Sequence, residues 1–317
     1  MRFAATACLI FASLAQPAAA DTLIVGNKGD NSVSFIDLDS GDEMARVETG
    51  KAPHEVAISP DGKRAAVVAY GGTTIDIFDV AKRERISRID ISPGEAPHGI
   101  VWLKDGRIVA TAEKSKGVVI VDTRRETAQF VPTGGDGAHM VAVSPNQKRA
   151  YVANILSGTV SIVDLKKREH LGDISVGGNP EGIAITPDGK QLWVGDNSGG
   201  RVRVVDLKSR EVIEVLESDP VPIRIAISPD GRTAVTSHIG SGSLNLFDVA
   251  TRTRTAVIPV SGEHKAVQVT ILFSPDAKSL YVAETGRDVV AQIDLDSKQV
   301  LRRIPVGKSG DGLGIAP

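Results

Sequence analysis

The chain has 317 residues, of which 41% are hydrophobic but only 4% aromatic, and its formal net charge is −2. This composition excludes a disordered chain, and it lacks the basic excess that is typical of a general nucleic-acid binder. The single cysteine excludes a disulfide framework and a cysteine-based metal or cluster site. The 32 glycines, with many valine, isoleucine and alanine residues, indicate short strands joined by tight turns.

The first 20 residues have the pattern of a secretory signal peptide. Arg2 precedes an apolar run over residues 3–14, and the small residues 18–20 supply a cleavage site. A membrane anchor is the alternative, but the run is too short to cross about 30 Å of hydrocarbon as a helix. We therefore expect cleavage after Ala20 and export of residues 21–317 to the periplasm. Cleavage would also remove the only cysteine and one basic residue, which leaves a net charge of −3.

The rest of the sequence repeats with a period of about 42 residues, a length typical of a propeller blade. A turn of the type Pro60-Asp61-Gly62 recurs, and its first residue stands at Pro60, Lys104, Pro145, Pro187, Pro229, Pro275 and Pro317. An aspartate that ends a β-rich run recurs independently, at Asp37, Asp79, Asp122, Asp164, Asp206, Asp248 and Asp294. The two markers agree on seven repeat units.

Each unit contains four short runs of strand-like composition. In the unit around Pro187 these runs are residues 182–185, 191–194, 202–205 and 212–215. A Pro-Asp-Gly turn joins the first two, and no run of helical periodicity competes with the strands. Seven four-stranded units predict an all-β, seven-bladed β-propeller that residues 21–317 form as a single domain.

The two ends of the mature chain predict how the ring closes. The chain begins on a strand of the second type, residues 23–27, and it stops after a strand of the first type, residues 312–316. We therefore expect the N- and C-terminal strands to share one blade. Such pairing removes the exposed edges that an open array would leave.

Tetrapeptides in the second strands resemble those of a known family. Tyr151-Val152-Ala153-Asn154, Tyr281-Val282-Ala283-Glu284 and Trp193-Val194-Gly195-Asp196 are similar to the Tyr-Val-Thr-Asn motif that names the YVTN-repeat propellers. The resemblance covers residues 21–317 and is to the YncE-like periplasmic members. It implies the propeller fold, but it implies little about function. The family and its relatives include surface-layer proteins, companions of quinoprotein alcohol catabolism, lactonase-like enzymes and haem d1 carriers.

Three of the six histidines fall at one position of the repeat. Alignment of the seven units at this position gives His54, His98, His139, Glu181, Ile223, Val269 and Asp311. In a propeller this position lies near the start of the innermost strand, at the rim of the central channel. Because the ring closes, Asp311 should neighbour His54. One arc of the rim is therefore predicted to be polar and the opposite arc apolar.

A second set of side chains is expected to approach the same rim from one strand further out. Its members follow from the fourth residue of the YVTN-like segment: Asn27, Ala69 or Tyr70, Glu113, Asn154, Asp196, His238 and Glu284. From these considerations we predict a ligand-binding rim that comprises Asn154, Asp196, His238, Glu284, Arg224 and Asp311.

His54, His98, His139 and Glu181 form a candidate metal site. Neutral imidazoles suit Zn, Cu, Fe or Ni, and three histidines with one carboxylate leave a position for water or substrate. The alternative is that polar groups line a wet channel whose tapering interior apolar side chains cannot fill. A histidine at this position could also pack between blades. The sequence leaves these alternatives open.

Arg224 is the only basic residue at the next repeat position, which Glu55 occupies in its own unit. It could hold an anionic ligand beside the apolar arc, or it could pair with Glu181. We favour the ion pair.

The first functional hypothesis is an exported, monomeric binding module whose histidine-bearing rim binds a small ligand, a metal or a periplasmic protein. The alternative is a metal-dependent lyase-like or hydrolytic enzyme at the same rim, with Glu181 or Glu113 as ligand or base. A second alternative is single-stranded nucleic-acid binding, which the negative charge and the few aromatic residues disfavour. No apolar stretch in residues 21–317 is long enough to predict a membrane span.

Overall fold

A computed structural model describes residues 21–317, and this part of the chain forms 28 β-strands. The predicted signal peptide, residues 1–20, lies outside the described residues. The first fourteen strands are β1 (Thr22–Asn27), β2 (Ser32–Asp37), β3 (Glu43–Glu48), β4 (Pro53–Ile58), β5 (Arg64–Ala69), β6 (Thr74–Asp79), β7 (Glu84–Asp90), β8 (Ile100–Trp102), β9 (Arg107–Ala112), β10 (Gly117–Asp122), β11 (Thr127–Pro132), β12 (Ala138–Val143), β13 (Arg149–Asn154) and β14 (Thr159–Asp164). The others are β15 (Glu169–Ser175), β16 (Pro180–Ile185), β17 (Gln191–Asp196), β18 (Arg201–Asp206), β19 (Glu211–Glu217), β20 (Pro222–Ile227), β21 (Thr233–His238), β22 (Ser243–Asp248), β23 (Thr253–Pro259), β24 (Gln268–Phe273), β25 (Ser279–Glu284), β26 (Val289–Asp294), β27 (Gln299–Pro305) and β28 (Gly310–Ala316). Two short 3-10 turns, His264–Ala266 and Thr285–Arg287, flank strands of the last blade.

The strands pair into seven four-stranded antiparallel sheets, which are the blades of a closed ring. Blade 1 has the strand order β28-β1-β2-β3, and blades 2 to 7 are the consecutive sets of four from β4–β7 to β24–β27. Each inner strand contacts the inner strands of both neighbouring blades, so the ring is continuous. The predicted all-β, seven-bladed propeller is confirmed.

The two ends of the described chain close blade 1. Strand β28 pairs with β1 in an antiparallel register that joins Thr22 to Ala316 and Asn27 to Gly310. The blade therefore takes its inner strand from the C-terminal end of the chain and its other three strands from the N-terminal end, as the sequence predicted.

Turn chemistry explains the two sequence markers of the repeat. In the Ser59–Gly62 turn, Gly62 has φ +72° and its N–H donates to the Ser59 carbonyl at 2.8 Å, while Ser59 Oγ donates to Asp61 Oδ1 at 2.6 Å. The aspartate that ends each third strand accepts backbone N–H groups of the following turn: Asp37 Oδ1 accepts from the amides of Asp39 and Ser40. These aspartates are turn-forming residues of the fold.

The core of the described chain consists of seven buried hydrophobic clusters, one at each interface between neighbouring blades. Between blades 2 and 3, for example, Val68 and Ile77 pack in one cluster with Trp102 and Val119. Burial of each such side chain contributes about 1.5–3 kcal/mol. Valine, isoleucine and alanine let flat blade faces pack closely, which accounts for the low aromatic content.

Candidate functional site at the mouth of the central channel

The inner strands begin at one end of the ring, and their early residues converge on the mouth of the central channel. The aligned position is the second residue of every inner strand except β8, which is shorter and which His98 precedes by two residues. Blade closure places Asp311 beside His54, with 3.9 Å between His54 Nε2 and Asp311 Oδ2. The polar arc that the repeat alignment predicted is therefore present.

Four aromatic rings contact one another along this arc in tilted and edge-to-face arrangements. The ring centroids of His54 and His98 are 4.7 Å apart, and those of His98 and His139 are 3.6 Å apart. Tyr70 covers the first two, at 4.6 Å from His54 and 5.5 Å from His98. The four residues proposed as metal ligands thus come together, because Glu181 also contacts His139.

His139 is held between two carboxylates. Its Nδ1 lies 2.8 Å from Glu113 Oε2, and its Nε2 lies 2.8 Å from Glu181 Oε1. Because ionised carboxylates only accept hydrogen bonds, a carboxylate at each ring nitrogen favours the ring that is protonated on both nitrogens. Burial acts against this charge, but the hydrogen bonds to Glu113 and Glu181 outweigh it and raise the pKa of His139. Tyr70 completes the group, since its hydroxyl donates to Glu113 Oε1 at 3.2 Å.

The other two histidines are neutral. Burial, with the neighbouring charge of His139, lowers the pKa of His98 well below its usual value, and the Nδ1 atom of His98 is buried without a hydrogen-bond partner. Burial also lowers the pKa of His54 to about 4, although Asp311 opposes the shift. The Nδ1 of His54 lies 3.1 Å from the carbonyl oxygen of Ala52. That contact requires the proton on Nδ1, so Nε2 carries a lone pair and faces Asp311.

Arg224 bridges the channel. Its Nη1 donates to Glu181 Oε1 at 3.0 Å, and its Nε and Nη2 donate to Glu55 Oε1 at 3.1 and 2.9 Å. The favoured Arg224–Glu181 ion pair is therefore present, with Glu55 as a second partner from the opposite side of the ring. Burial opposes the charge of Arg224, but the two carboxylates outweigh it and raise its pKa. With both carboxylates already paired to it, Arg224 is not free to hold an anionic ligand.

Lys28 neutralises Asp311 at the closing point of the ring. Its Nζ lies 2.9 Å from Asp311 Oδ2. Burial would raise the pKa of Asp311, but Lys28, Arg224 and His54 together lower it. The mouth then holds four carboxylates, Glu55, Glu113, Glu181 and Asp311, against three cations, Lys28, His139 and Arg224. Burial outweighs the effect of Arg224 and raises the pKa of Glu55.

Comparison with solved structures shows the fold. The chain is similar to hydrazine synthase from Kuenenia stuttgartiensis (TM-score 0.74, 19% identity, covering 81% of this chain and 87% of that one). It is also similar to a functionally unknown protein from Desulfotomaculum acetoxidans (TM-score 0.78, 14% identity, 93% and 98%). A third similar structure is the dihydro-heme d1 dehydrogenase NirN in complex with DHE (TM-score 0.69, 15% identity, 96% and 77%). At these identities the likeness establishes the β-propeller fold alone. No protein-family model and no curated protein matches the chain, so the YVTN resemblance stays a prediction.

The second predicted set lies elsewhere. Asn154, Asp196, His238 and Glu284 are at most 2% exposed and form their side-chain contacts inside their own blades. Asp196, for example, accepts from Arg203 Nη1 at 2.7 Å, and Glu284 Oε2 accepts from Arg303 Nε at 2.6 Å. The structure does not bring these four together at the channel, so the predicted ligand-binding rim needs correction here: of its members, only Arg224 and Asp311 lie at the mouth.

The residues that do approach the channel from the second strands each follow the last residue of their strand. Lys28 contacts Asp311, and Tyr70 contacts the rings of His54 and His98. Glu113 contacts His139, and Asn197 contacts Glu181. The signal that could have found them is strand alternation, because successive side chains point in opposite directions. Of these four residues, the alignment of the repeat units predicted Glu113 and gave Tyr70 as an alternative to Ala69.

Two further observations define what the described residues contain. Within residues 21–317, no group of three or more His, Cys, Asp or Glu side chains is arranged so that it could hold a metal ion. In the same part of the chain, no helix has the length and apolar character needed to cross a membrane.

Proposed function

We propose that the chain is an exported binding module that takes a small positively charged ligand at the channel mouth, and that a divalent transition-metal ion is this ligand. The observation that carries the proposal is the lone pair of His54 Nε2, which faces the Asp311 carboxylate at 3.9 Å with no proton between them. Two acceptors that face each other at this distance require a cation close by, and in the structure Lys28 Nζ, 2.9 Å from Asp311 Oδ2, is that cation.

The groups around this pair are of the types that bind metal ions, although within residues 21–317 they do not form a ready ligand set of three. A ligating histidine typically donates its other ring N–H to a backbone carbonyl, as His54 does to Ala52. His98 supplies a further buried nitrogen without a partner, and imidazole with carboxylate suits Zn, Cu, Ni or Fe. In the structure the ammonium of Lys28 holds the carboxylate oxygen that faces His54. Metal binding would therefore displace Lys28 from Asp311.

A metal-dependent lyase-like or hydrolytic enzyme is the second candidate. The observation that favours it is the contact between an imidazolium, His139, and a neutral imidazole, His98, since adjacent groups with separated pKa values can act as acid and base. Glu113 and Glu181 both accept hydrogen bonds from His139, so in this mechanism they would hold the acid rather than serve as the base. Nucleic-acid binding gains no support, because the carboxylates at the mouth would repel phosphates.

The test is calorimetric titration of the exported chain, purified without chelator and depleted of metal, with Zn²⁺, Cu²⁺ and Ni²⁺. We expect near-stoichiometric binding of at least one ion, weakened at least tenfold in His54→Ala and in Asp311→Asn. Lys28→Met should strengthen binding, because it removes the competing cation. His170→Ala is the matched control, since His170 lies on the outer strand β15, away from the channel mouth, and pairs with Asp173.

Stronger ion binding in Lys28→Met together with weaker ion binding in His54→Ala would place the ion at this site. Loose binding at the surface would not give this pair of results. No heat with any of the three ions in a folded protein would overturn the metal proposal. Equal weakening in His54→Ala and His170→Ala would overturn it as well.

A further inference from the structure

A groove lies between blades 4 and 5 on the face of the ring opposite the histidines. Its volume is about 600 Å³, within the range of small-molecule sites of about 300–1,000 Å³. Its walls are the β12–β13 turn of blade 4 and the β16–β17 and β18–β19 turns of blade 5. The buried ring of Tyr151 forms part of the wall.

The groove carries an excess of positive charge, although the whole chain is slightly acidic. The ionic groups in its lining are Lys148, Arg149, Lys190, Lys208, Asp188 and Asp206. Both carboxylates are occupied by their own turns: Asp206 Oδ1 accepts the amides of Lys208 and Ser209 at 2.9 and 2.7 Å, and Asp188 Oδ1 accepts from Thr186 Oγ1 at 2.6 Å.

Only one of the four cations has a carboxylate partner. Lys190 Nζ lies 3.3 Å from Asp188 Oδ2. Within residues 21–317, no carboxylate lies within 4.0 Å of the charged atoms of Lys148, Arg149 or Lys208. Three cations therefore line one concave surface without a direct ion pair, although, besides backbone hydrogen bonds, Arg149 and Lys208 still lower the pKa values of Asp164 and Asp206.

The neighbouring groove provides an internal comparison. The groove between blades 5 and 6 has the same construction and a volume of about 580 Å³. Its ionic lining is Asp188, Asp230, Asp248 and Arg232, so its charge is negative. The positive charge between blades 4 and 5 is therefore a property of these two blades rather than a consequence of the repeat.

We propose that the groove between blades 4 and 5 is a second binding site, and that it takes a small polyanion with at least two carboxylate or phosphate groups. The cations of the two blades approach such a ligand from opposite walls, Lys148 and Arg149 from blade 4 and Lys190 and Lys208 from blade 5. The wall of Tyr151 contacts its apolar portion. The site is independent of the channel mouth.

The experiment titrates the chain with pyrophosphate and with citrate by calorimetry at low salt. We expect saturable binding that weakens at least tenfold in Lys148→Gln/Lys208→Gln. The control is Lys63→Gln/Lys278→Gln, which removes the same charge from the turns of blades 2 and 7, at the repeat position of Lys148. It should stay within twofold of the original protein. Tighter binding of pyrophosphate would identify phosphate as the preferred group, and tighter binding of citrate would identify carboxylate.

Equal weakening in the two double variants would overturn the proposal, because attraction would then come from net charge alone. Failure of both anions to bind at millimolar concentration would overturn it too. His54→Ala should leave polyanion binding unchanged, which separates this site from the proposed metal site.

Discussion

Three histidines share one repeat position, yet they differ in charge because each has different neighbours. His139 has a carboxylate at each ring nitrogen and is an imidazolium, whereas His98 has rings on both sides and is neutral. His54 is neutral as well, and its proton lies on the nitrogen that faces Ala52. The repeat therefore determines the residue type at the channel mouth, and the contacts of each residue determine its chemistry.

A fourth histidine gives a prediction about pH and stability. His238 is 0% exposed, its Nε2 lies 2.7 Å from Thr236 Oγ1, and burial lowers its pKa to about 4. In the unfolded chain the pKa is about 6.5, so protons bind the unfolded state more tightly. The stability that the neutral histidine contributes is present above pH 6.5 and is lost as the pH falls toward 4.

We expect His238→Asn to lose less stability than the original protein between pH 7 and pH 4.5, by about 2 kcal/mol. Asparagine occupies the same repeat position at Asn27 and Asn154, where it donates to a serine of the adjacent strand, so the blade accommodates it. Urea unfolding at the two pH values measures the difference. His170→Asn, a change on the outer strand β15, should behave as the original protein does. Equal losses in all three proteins would contradict the assignment.

At the scale of the strand, close approach of inner strands depends on glycine at the position after the histidine column. A Cβ on Gly182 would lie 2.7 Å from Arg224 Cα, and one on Gly312 would lie 2.1 Å from the His54 carbonyl oxygen. The inner strands of blades 5 and 1 thus pack directly against the backbone of the next blade. This close packing brings Arg224 within hydrogen-bond distance of Glu181. It also places Asp311 near His54.

Gly312→Ala should therefore loosen the contact between β28 and β4. We expect a loss of about 2 kcal/mol or more in unfolding free energy, because the clash is with backbone and cannot be relieved by a rotamer change. Urea unfolding measures it. Gly72→Ala is the matched control, since the nearest atom to its Cβ would be 3.9 Å away. A neutral effect of Gly312→Ala would show that the inner strands separate without cost.

Strand alternation also explains what the sequence predicted of the site. The aligned position is the second residue of the inner strand in six blades, and in blade 3 His98 precedes the shorter β8 by two residues. The residues predicted on the second strands, Asn154 and Asp196, point into the blade. The residue after Asp196, Asn197, reaches Glu181 at the channel. A shift of one residue exchanges the two directions.

For the whole molecule, the ring followed from the sequence because both repeat markers are turn-forming groups with a physical role in every blade. Contacts across the channel did not follow. Glu55 and Arg224 are 169 positions apart, and periodicity gives the height of a residue along the channel but not its partner across it. The sequence also did not predict the difference in charge between the groove of blades 4 and 5 and the groove of blades 5 and 6. That difference depends on which turns the closed ring brings together.

Closure of the ring gives a prediction for the molecule as one unit. Truncation to residues 21–309 removes β28, which leaves β1 without its inner partner and strips the contacts of β28 with β4 and β24. We expect a large fall in the urea midpoint, reported by Trp102 and Trp193 although they lie in blades 3 and 5. The reason is that an opened ring exposes apolar blade faces and an unpaired edge.

A circular permutant separates loss of closure from disturbance of the chain ends. Because Thr22 pairs with Ala316, a short linker can join Pro317 to Asp21, and new ends can be opened between the exposed residues Gly262 and Glu263. The permutant keeps all 28 strands and should unfold near the midpoint of the original chain. If the truncated chain instead kept that midpoint and the native tryptophan emission, blades 3 and 5 would be stable without a closed ring. The stability of the propeller would then reside in local pairs of blades.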